Sequence, residues 1–251
     1  MEQAIHDPKP TRDETRRAGL VVEGIDVSYA QKKVVNDVSL AIGADEIVAL
    51  IGHNGAGKTT LLKAIIGALR VNKGRIQFGG KDVTNLRPSS NVRDGIVYCP
   101  QGGDVFRRLT VVENLEIANL GKREGNTSKE SIEKIFDLFP ALVQRRNLKA
   151  GVLSGGERQM LSIGMMLMLS PRLFLIDEPS GGLAPMYVDR VFESIKRINQ
   201  EFRTAILVVE QNMKHAFAIS GRVYVMRNSS IVFEGTPQQV QETVSDHFFG
   251  F

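Results

Sequence analysis

Residues 46–68 constrain this chain more than any other stretch. Glu46-Ile47-Val48-Ala49-Leu50-Ile51 is a nearly continuous apolar run, the signature of a strand buried on both faces and therefore of a layered α/β architecture. It enters Gly52-His53-Asn54-Gly55-Ala56-Gly57-Lys58-Thr59, which satisfies the pattern G-x-x-x-x-G-K-[ST] in full. Residues 58–68 then read as a helix. Gly52, Gly55 and Gly57 let the backbone wrap phosphate oxygens where side chains would obstruct it. His53, Asn54 and Ala56 complete that cradle, and the helix N-terminus adds its positive dipole end. Lys58 is expected to reach the β- and γ-phosphates, Thr59 to ligate Mg²⁺, and Thr60 to donate to the α-phosphate. The strand and helix around the motif make a chance Gly-Lys-Thr a poor account of it.

Two further motifs narrow the chemistry. Leu173-Phe174-Leu175-Ile176-Asp177-Glu178-Pro179 is an apolar strand ending in adjacent carboxylates. Paired acids are often a solvated strand end. Downstream of a phosphate loop, however, Asp177 is placed for a magnesium shell and Glu178 to orient and polarise an attacking water. Before that strand stands Leu153-Ser154-Gly155-Gly156-Glu157. Ser154, Gly155 and Gly156 open a helix and offer a hydroxyl, amides and a dipole to an anion. A serine N-cap explains the same residues, and the two roles can coexist.

The remainder organises around these motifs. Residues 1–19 are polar, charged and aperiodic, which predicts a flexible extension. Strands are expected at 20–29, 38–42, 95–99, 173–177, 205–209 and 223–226, with helices at 58–68, 111–120, 129–139 and 157–169. Crossover helices between buried strands imply a parallel sheet. The helical segments between Gln101 and Ala150 read as a lobe inserted into the α/β core. No internal repeat or second phosphate loop is present. No stretch approaches the roughly 20 uninterrupted apolar residues of a membrane span, and the N-terminus shows no apolar signal core. A single cysteine, Cys99, excludes an internal disulfide framework and suits a reducing compartment, and its strand setting predicts a small core residue. The formal net charge of +4 is scattered, and Arg107-Arg108 and Arg145-Arg146 are too short to specify nucleic acid.

Taken together, the phosphate loop, the Leu-Ser-Gly-Gly element and the Asp177-Glu178 strand resemble the nucleotide-binding subunit of an ATP-binding-cassette (ABC) transporter, from about Leu20 to the C-terminus. The resemblance implies an α/β P-loop NTPase core with a mainly parallel sheet, an N-terminal antiparallel β subdomain and an inserted α-helical subdomain at about 102–170, all within one domain, 20–251. It implies ATP and Mg²⁺ as ligands, Glu178 as catalytic base and Asp177 as the metal-side acid. Ser154, Gly155 and Gly156 would contact the γ-phosphate held by an opposite cassette. Gln101, after Tyr98-Cys99-Pro100, matches a glutamine that senses Mg²⁺ and water beside the membrane subunit. Tyr29 matches the aromatic that stacks on adenine, although an isolated strand tyrosine is more often core.

Three positions depart from the family pattern. Gln211, in Val209-Glu210-Gln211-Asn212, stands where a histidine usually contacts the γ-phosphate, and it can hydrogen-bond but not take up charge. His215 reads as a surface or packing residue. Ala184, in Gly181-Gly182-Leu183-Ala184-Pro185, replaces a frequent aspartate, and Gly103 a frequent arginine. Val-Glu-Gln-Asn with Gly-Leu-Ala-Pro, and residues 106–115, are similar to the paired ATPases of importers for branched-chain amino acids, urea or short amides. That subfamily implies transmembrane permease subunits, a second cassette in a heterodimer, an indirect solute-binding protein, and the cytoplasmic face of the inner membrane, with no nucleic acid. The alternatives are a soluble cassette ATPase acting on nucleic acid or ribosomes, a weakly hydrolysing regulatory cassette, and an exporter.

Overall fold

A computed structural model of the protein describes residues 18–120 and 128–244. Residues 1–17, which make up most of the expected extension, lie outside the described residues, as do 121–127 and 245–251. The large sheet has six strands in the order β10-β9-β3-β8-β7-β6. These are β3 (Ile47–Ile51), β6 (Ile96–Cys99), β7 (Leu173–Asp177), β8 (Ala205–Glu210), β9 (Arg222–Arg227) and β10 (Ser230–Gly235). Every pairing is parallel except β9 with β10. A second, antiparallel sheet has the order β2-β1-β4-β5, built from β1 (Ala18–Tyr29), β2 (Lys32–Gly43), β4 (Val71–Phe78) and β5 (Lys81–Asp82).

The side-chain period of two explains the apolar runs. Along β3, Ile47, Ala49 and Ile51 face one core while Val48 and Leu50 face the other. The same alternation sends Phe174 and Ile176 of β7 to the first core and Leu173 and Leu175 to the second. The second core is closed by the antiparallel sheet and α1 (Lys58–Ile66). The first is closed by the helices between β6 and β7 and by α7 (Pro185–Phe202). Those intervening helices are α3 (Val111–Asn119), α4 (Ser128–Leu138), α5 (Pro140–Val143) and α6 (Gly155–Leu167), with α2 (Pro88–Arg93) preceding β6. After β8 come α8 (Met213–Ile219) and, beyond β10, α9 (Pro237–Val244). Arg222 ties the two sheets together. Its guanidinium donates to the Ala41 carbonyl (2.9 Å), both Glu46 oxygens (2.9 and 2.8 Å) and Glu234 (2.8 Å).

The strand boundaries differ from expectation where burial is one-sided. β1 begins at Ala18, inside the segment expected to be an extension, and the Gly19 carbonyl accepts the Gly79 amide at 2.9 Å. β2 starts at Lys32 rather than Val38, because most residues of its first half are exposed and carry no apolar alternation. β4 escapes a sequence reading altogether, since Asn72 to Arg75 are all exposed. Cys99 is fully buried, with Sγ 3.8 Å from Ser162 Oγ, and burial pushes the thiol up to about 12. No described helix is long and apolar enough to cross a membrane.

Phe174 is fully buried in the sheet's first core. Phe174→Ala is expected to lower unfolding free energy by about 3–5 kcal/mol, read by urea denaturation. A loss under about 1 kcal/mol would mean that this face of the sheet is not the packed core described.

Candidate active site

Parallel register brings four chain crossings to one edge. Ile51 is paired with Glu210, Asp177 with Val209, and Cys99 with Ile176. The carboxyl ends of β3, β8, β7 and β6 therefore lie side by side, where open α/β sheets leave a crevice. Residues 52–57 leave β3 there, Asp177-Glu178 end β7, Glu210-Gln211 end β8, and Gln101 follows β6.

Two glycines in the loop are required by their surroundings. Gly57 has φ +110°, and a Cβ on it would lie 2.5 Å from the Val34 carbonyl. A Cβ on Gly52 would lie 2.2 Å from the Met226 carbonyl. The loop is thus wedged between the β1–β2 hairpin and β9. Tyr29 ends β1 beside the hairpin turn and is 46% exposed, so its ring is available on the surface and is not a core residue. His53, Asn54 and Gly55 are exposed, whereas Ala56, Lys58 and Thr60 are buried. Lys58 Nζ donates to the Gly52 carbonyl (2.7 Å) and the His53 carbonyl (3.1 Å) and lies 3.8 Å from Glu178 Oε1. Burial lowers the Lys58 pKa, opposed by Glu178, Asp177 and Glu210.

Each acid has its own donors. Asp177 Oδ1 accepts from the Thr59 hydroxyl at 3.1 Å and Oδ2 from the Tyr98 hydroxyl at 2.9 Å. Burial raises the Asp177 pKa, and these two bonds oppose that. Burial also raises the Tyr98 phenol, which stays a donor. Glu178 stands in the left-handed region with φ +43°. Its Oε2 accepts from the Gln101 amide at 2.7 Å and its Oε1 from the Gln211 amide at 2.8 Å. Gln211 Nε2 also reaches Asn54 Oδ1 at 2.6 Å, joining the end of β8 to the phosphate loop.

The Leu-Ser-Gly-Gly element forms a different set of contacts. Ser154 caps α6: its Oγ accepts the Glu157 amide at 3.2 Å, and Glu157 accepts the Ser154 amide at 2.8 Å. Gly156 packs against the Tyr187 ring, where a Cβ would lie 2.5 Å away, and Gly155 faces Leu183. His215 is a packing residue, 3.0 Å from Asp189 and against the Phe192 ring. Gly103 lies against the backbone of Arg158 and Gln159 at the start of α6. Two residues of the cluster carried no usable sequence signal, namely Tyr98 and the fully buried Glu210. Glu210 looks in the sequence like any acid at a strand end.

The described residues contain no group of three or more His, Cys, Asp or Glu able to hold a metal. A hydroxyl and a carboxylate 3.1 Å apart, Thr59 and Asp177, are nonetheless the hard oxygen donors that suit Mg²⁺ when phosphates and water supply the other positions. The donor set fits that ion.

Residues 35–181 match the family model described as ABC transporter. The chain is 40% identical to the high-affinity branched-chain amino acid transport ATP-binding protein BraG of Pseudomonas aeruginosa, over 86% of this chain and 92% of that one. It is 36% identical to the lipopolysaccharide export system ATP-binding protein LptB of Haemophilus influenzae, over 88% and 92% respectively. A solved ATP-binding cassette of an ABC transporter in its ADP conformation superposes with a TM-score of 0.81 at 30% identity, covering 92% of this chain and 96% of that one.

Gly57→Ala adds a side chain to a positive-φ position that also touches Val34. The strain, about 1–3 kcal/mol, is expected to weaken binding of a fluorescent ATP analogue roughly 5–150-fold. Undiminished binding would show that the loop does not depend on this conformation.

Proposed function

The chain belongs to the ABC transporter family, and on that premise we propose that it is the subunit whose ATP hydrolysis powers an importer of branched-chain amino acids or related small polar solutes such as urea or amides. It is an ATPase subunit of the cassette type. The observation that carries the chemistry is the Glu178 carboxylate, gripped on each oxygen by an amide and 3.8 Å from the phosphate-loop lysine. The cargo class is supported by the likeness to BraG and by Val-Glu-Gln-Asn with Gly-Leu-Ala-Pro.

In this reading residues 20–251 act as one cassette, with 102–170 as its helical subdomain. Tyr29 stacks on adenine. The amides of residues 52–57 cradle the phosphates, and Lys58 exchanges its carbonyl partners for β- and γ-phosphate oxygens. Thr60 donates to the α-phosphate. Thr59, Asp177 and Gln101 would hold Mg²⁺, which would supply positive charge against the phosphates. Glu178 orients a water for attack on the γ-phosphorus and accepts its proton. Gln101 and Gln211 aim that carboxylate. Gln211 has no protonation equilibrium near neutrality, so the proton is left with Glu178.

Ser154, Gly155 and Gly156 serve the nucleotide of a second cassette, in a heterodimer beneath transmembrane permease subunits, fed by a solute-binding protein. The location is the cytoplasmic face of the inner membrane, as a peripheral subunit. The likeness to LptB makes export the competing reading within the transporter class.

Gentle solubilisation of native membranes and capture of this chain tests the assembly. Two multi-span proteins, a sibling cassette and an associated solute-binding protein are the expected yield. An exporter's permease, or ribosomes without membrane protein, would overturn import. For the chemistry, Glu178→Gln is expected to retain ATP binding and lose turnover by about 10²–10⁴-fold in the captured complex. Normal turnover in that variant would remove Glu178 from the role of base.

A further inference from the structure

Glu210 ends β8 with 1% of its surface exposed, and its carboxylate is satisfied by backbone amides on two separate crossings. Oε1 accepts the Ser180 amide at 2.9 Å, two residues beyond Glu178. Oε2 accepts the amides of Gln211 at 3.0 Å and Asn212 at 3.2 Å. Gln211 is the residue whose side chain holds Glu178 Oε1. A single carboxylate thus fastens both the backbone that carries Glu178 and the backbone that carries its amide partner.

We propose that Glu210 is a positioning residue for hydrolysis, setting the distance between Glu178 and Gln211 without touching nucleotide itself. The inference rests on the reading of Glu178 as the base. Two observations support it independently of burial. Glu178 sits at φ +43°, a conformation that a side-chain-bearing residue keeps only where its surroundings over-determine it. The ties that do so are Glu178 N to the Val209 carbonyl (3.0 Å), Gly181 N to the Glu178 carbonyl (3.0 Å), and Ser180 N to Glu210. The second observation is chemical. Three converging N–H donors require a group with acceptors on both ends, and an ionised carboxylate is the only side chain of this length that offers them. Glutamine at 210 turns one end into a donor facing an N–H, on either the Ser180 side or the Gln211 side. Within the loop that follows Glu178, Glu210 accepts the Ser180 amide from the neighbouring crossing.

The test uses the complex captured from membranes through this chain, carrying Glu210→Gln, Glu210→Asp or Glu178→Gln. Glu210→Gln is expected to lower kcat about 10–100-fold, as loss of a group supporting catalytic ligands does. KM for ATP and binding of a fluorescent ATP analogue are expected to stay within about twofold of the parent. Glu210→Asp keeps an acceptor-only group one methylene shorter and is expected to recover part of the lost kcat. Parent-like turnover in an assembled Glu210→Gln complex overturns the proposal. So does a parallel loss of ATP binding and turnover, which marks a merely structural residue. Where Glu210→Gln does not assemble, Glu210→Asp decides alone: a fall in kcat at constant KM supports positioning, and any other result overturns it. Failure of the underlying reading is separate, because it shows as persistent turnover in Glu178→Gln whatever Glu210 does.

Discussion

The central strands of this protein have no polar face, and the rest of the molecule is arranged around that requirement. Between Ile47 and Ile51, Leu173 and Ile176, and Ala205 and Val209, every residue is buried. A strand with apolar side chains on both faces folds only when both faces are covered. One cover is the antiparallel sheet with α1, and the other is the helical segment between β6 and β7 with α7. With both faces closed, the polar machinery has one place left, at the carboxyl ends of the strands. The two covers also define the site's walls. The hairpin of the small sheet presses on Gly57, α6 meets the loop after Glu178 through Gly155 and Leu183, and it meets α7 through Gly156 and Tyr187.

Concentrating three carboxylates and one ammonium at the dry end of a sheet is electrostatically costly, because a buried charge left unpartnered loses several kcal/mol of solvation. The solution is a division of labour by hydrogen-bond donor. Asp177 is served by two hydroxyls, Glu178 by two side-chain amides, and Glu210 by three backbone amides. Only Glu178 depends on side chains that are themselves exposed, Gln101 and Gln211. The carboxylate proposed as the base therefore has the most movable partners. The one with the fewest degrees of freedom is held by the backbone.

Legibility from sequence followed the range of the physics. Strand β3, its loop and α1 are contiguous, and the motif with its flanks announced them. Strands β7 and β8 were visible because double burial leaves an unbroken apolar run. β4 and the first half of β2 were not, since a strand with one exposed and charged stretch has no such run. Within the cluster, Asp177, Glu178, Gln101 and Gln211 were approachable through their order along the chain. Glu210 was invisible because its partners are backbone amides 30, one and two residues away, a pattern that side-chain identity does not encode. Tyr98 was missed for a related reason. Its tie to Asp177 spans 79 residues and exists only because β6 and β7 pair in register.

Cys99 has a consequence of another kind. It is the sole thiol of the chain, fully buried where α6 meets β6, and held protonated by its surroundings. A thiol-directed dye finds no nucleophile on the native surface, so a cysteine introduced at any exposed position takes a single label without first removing the natural one. The same concealment turns Cys99 into an internal clock: its rate of modification counts how often the core between the sheet and its helical cover comes open.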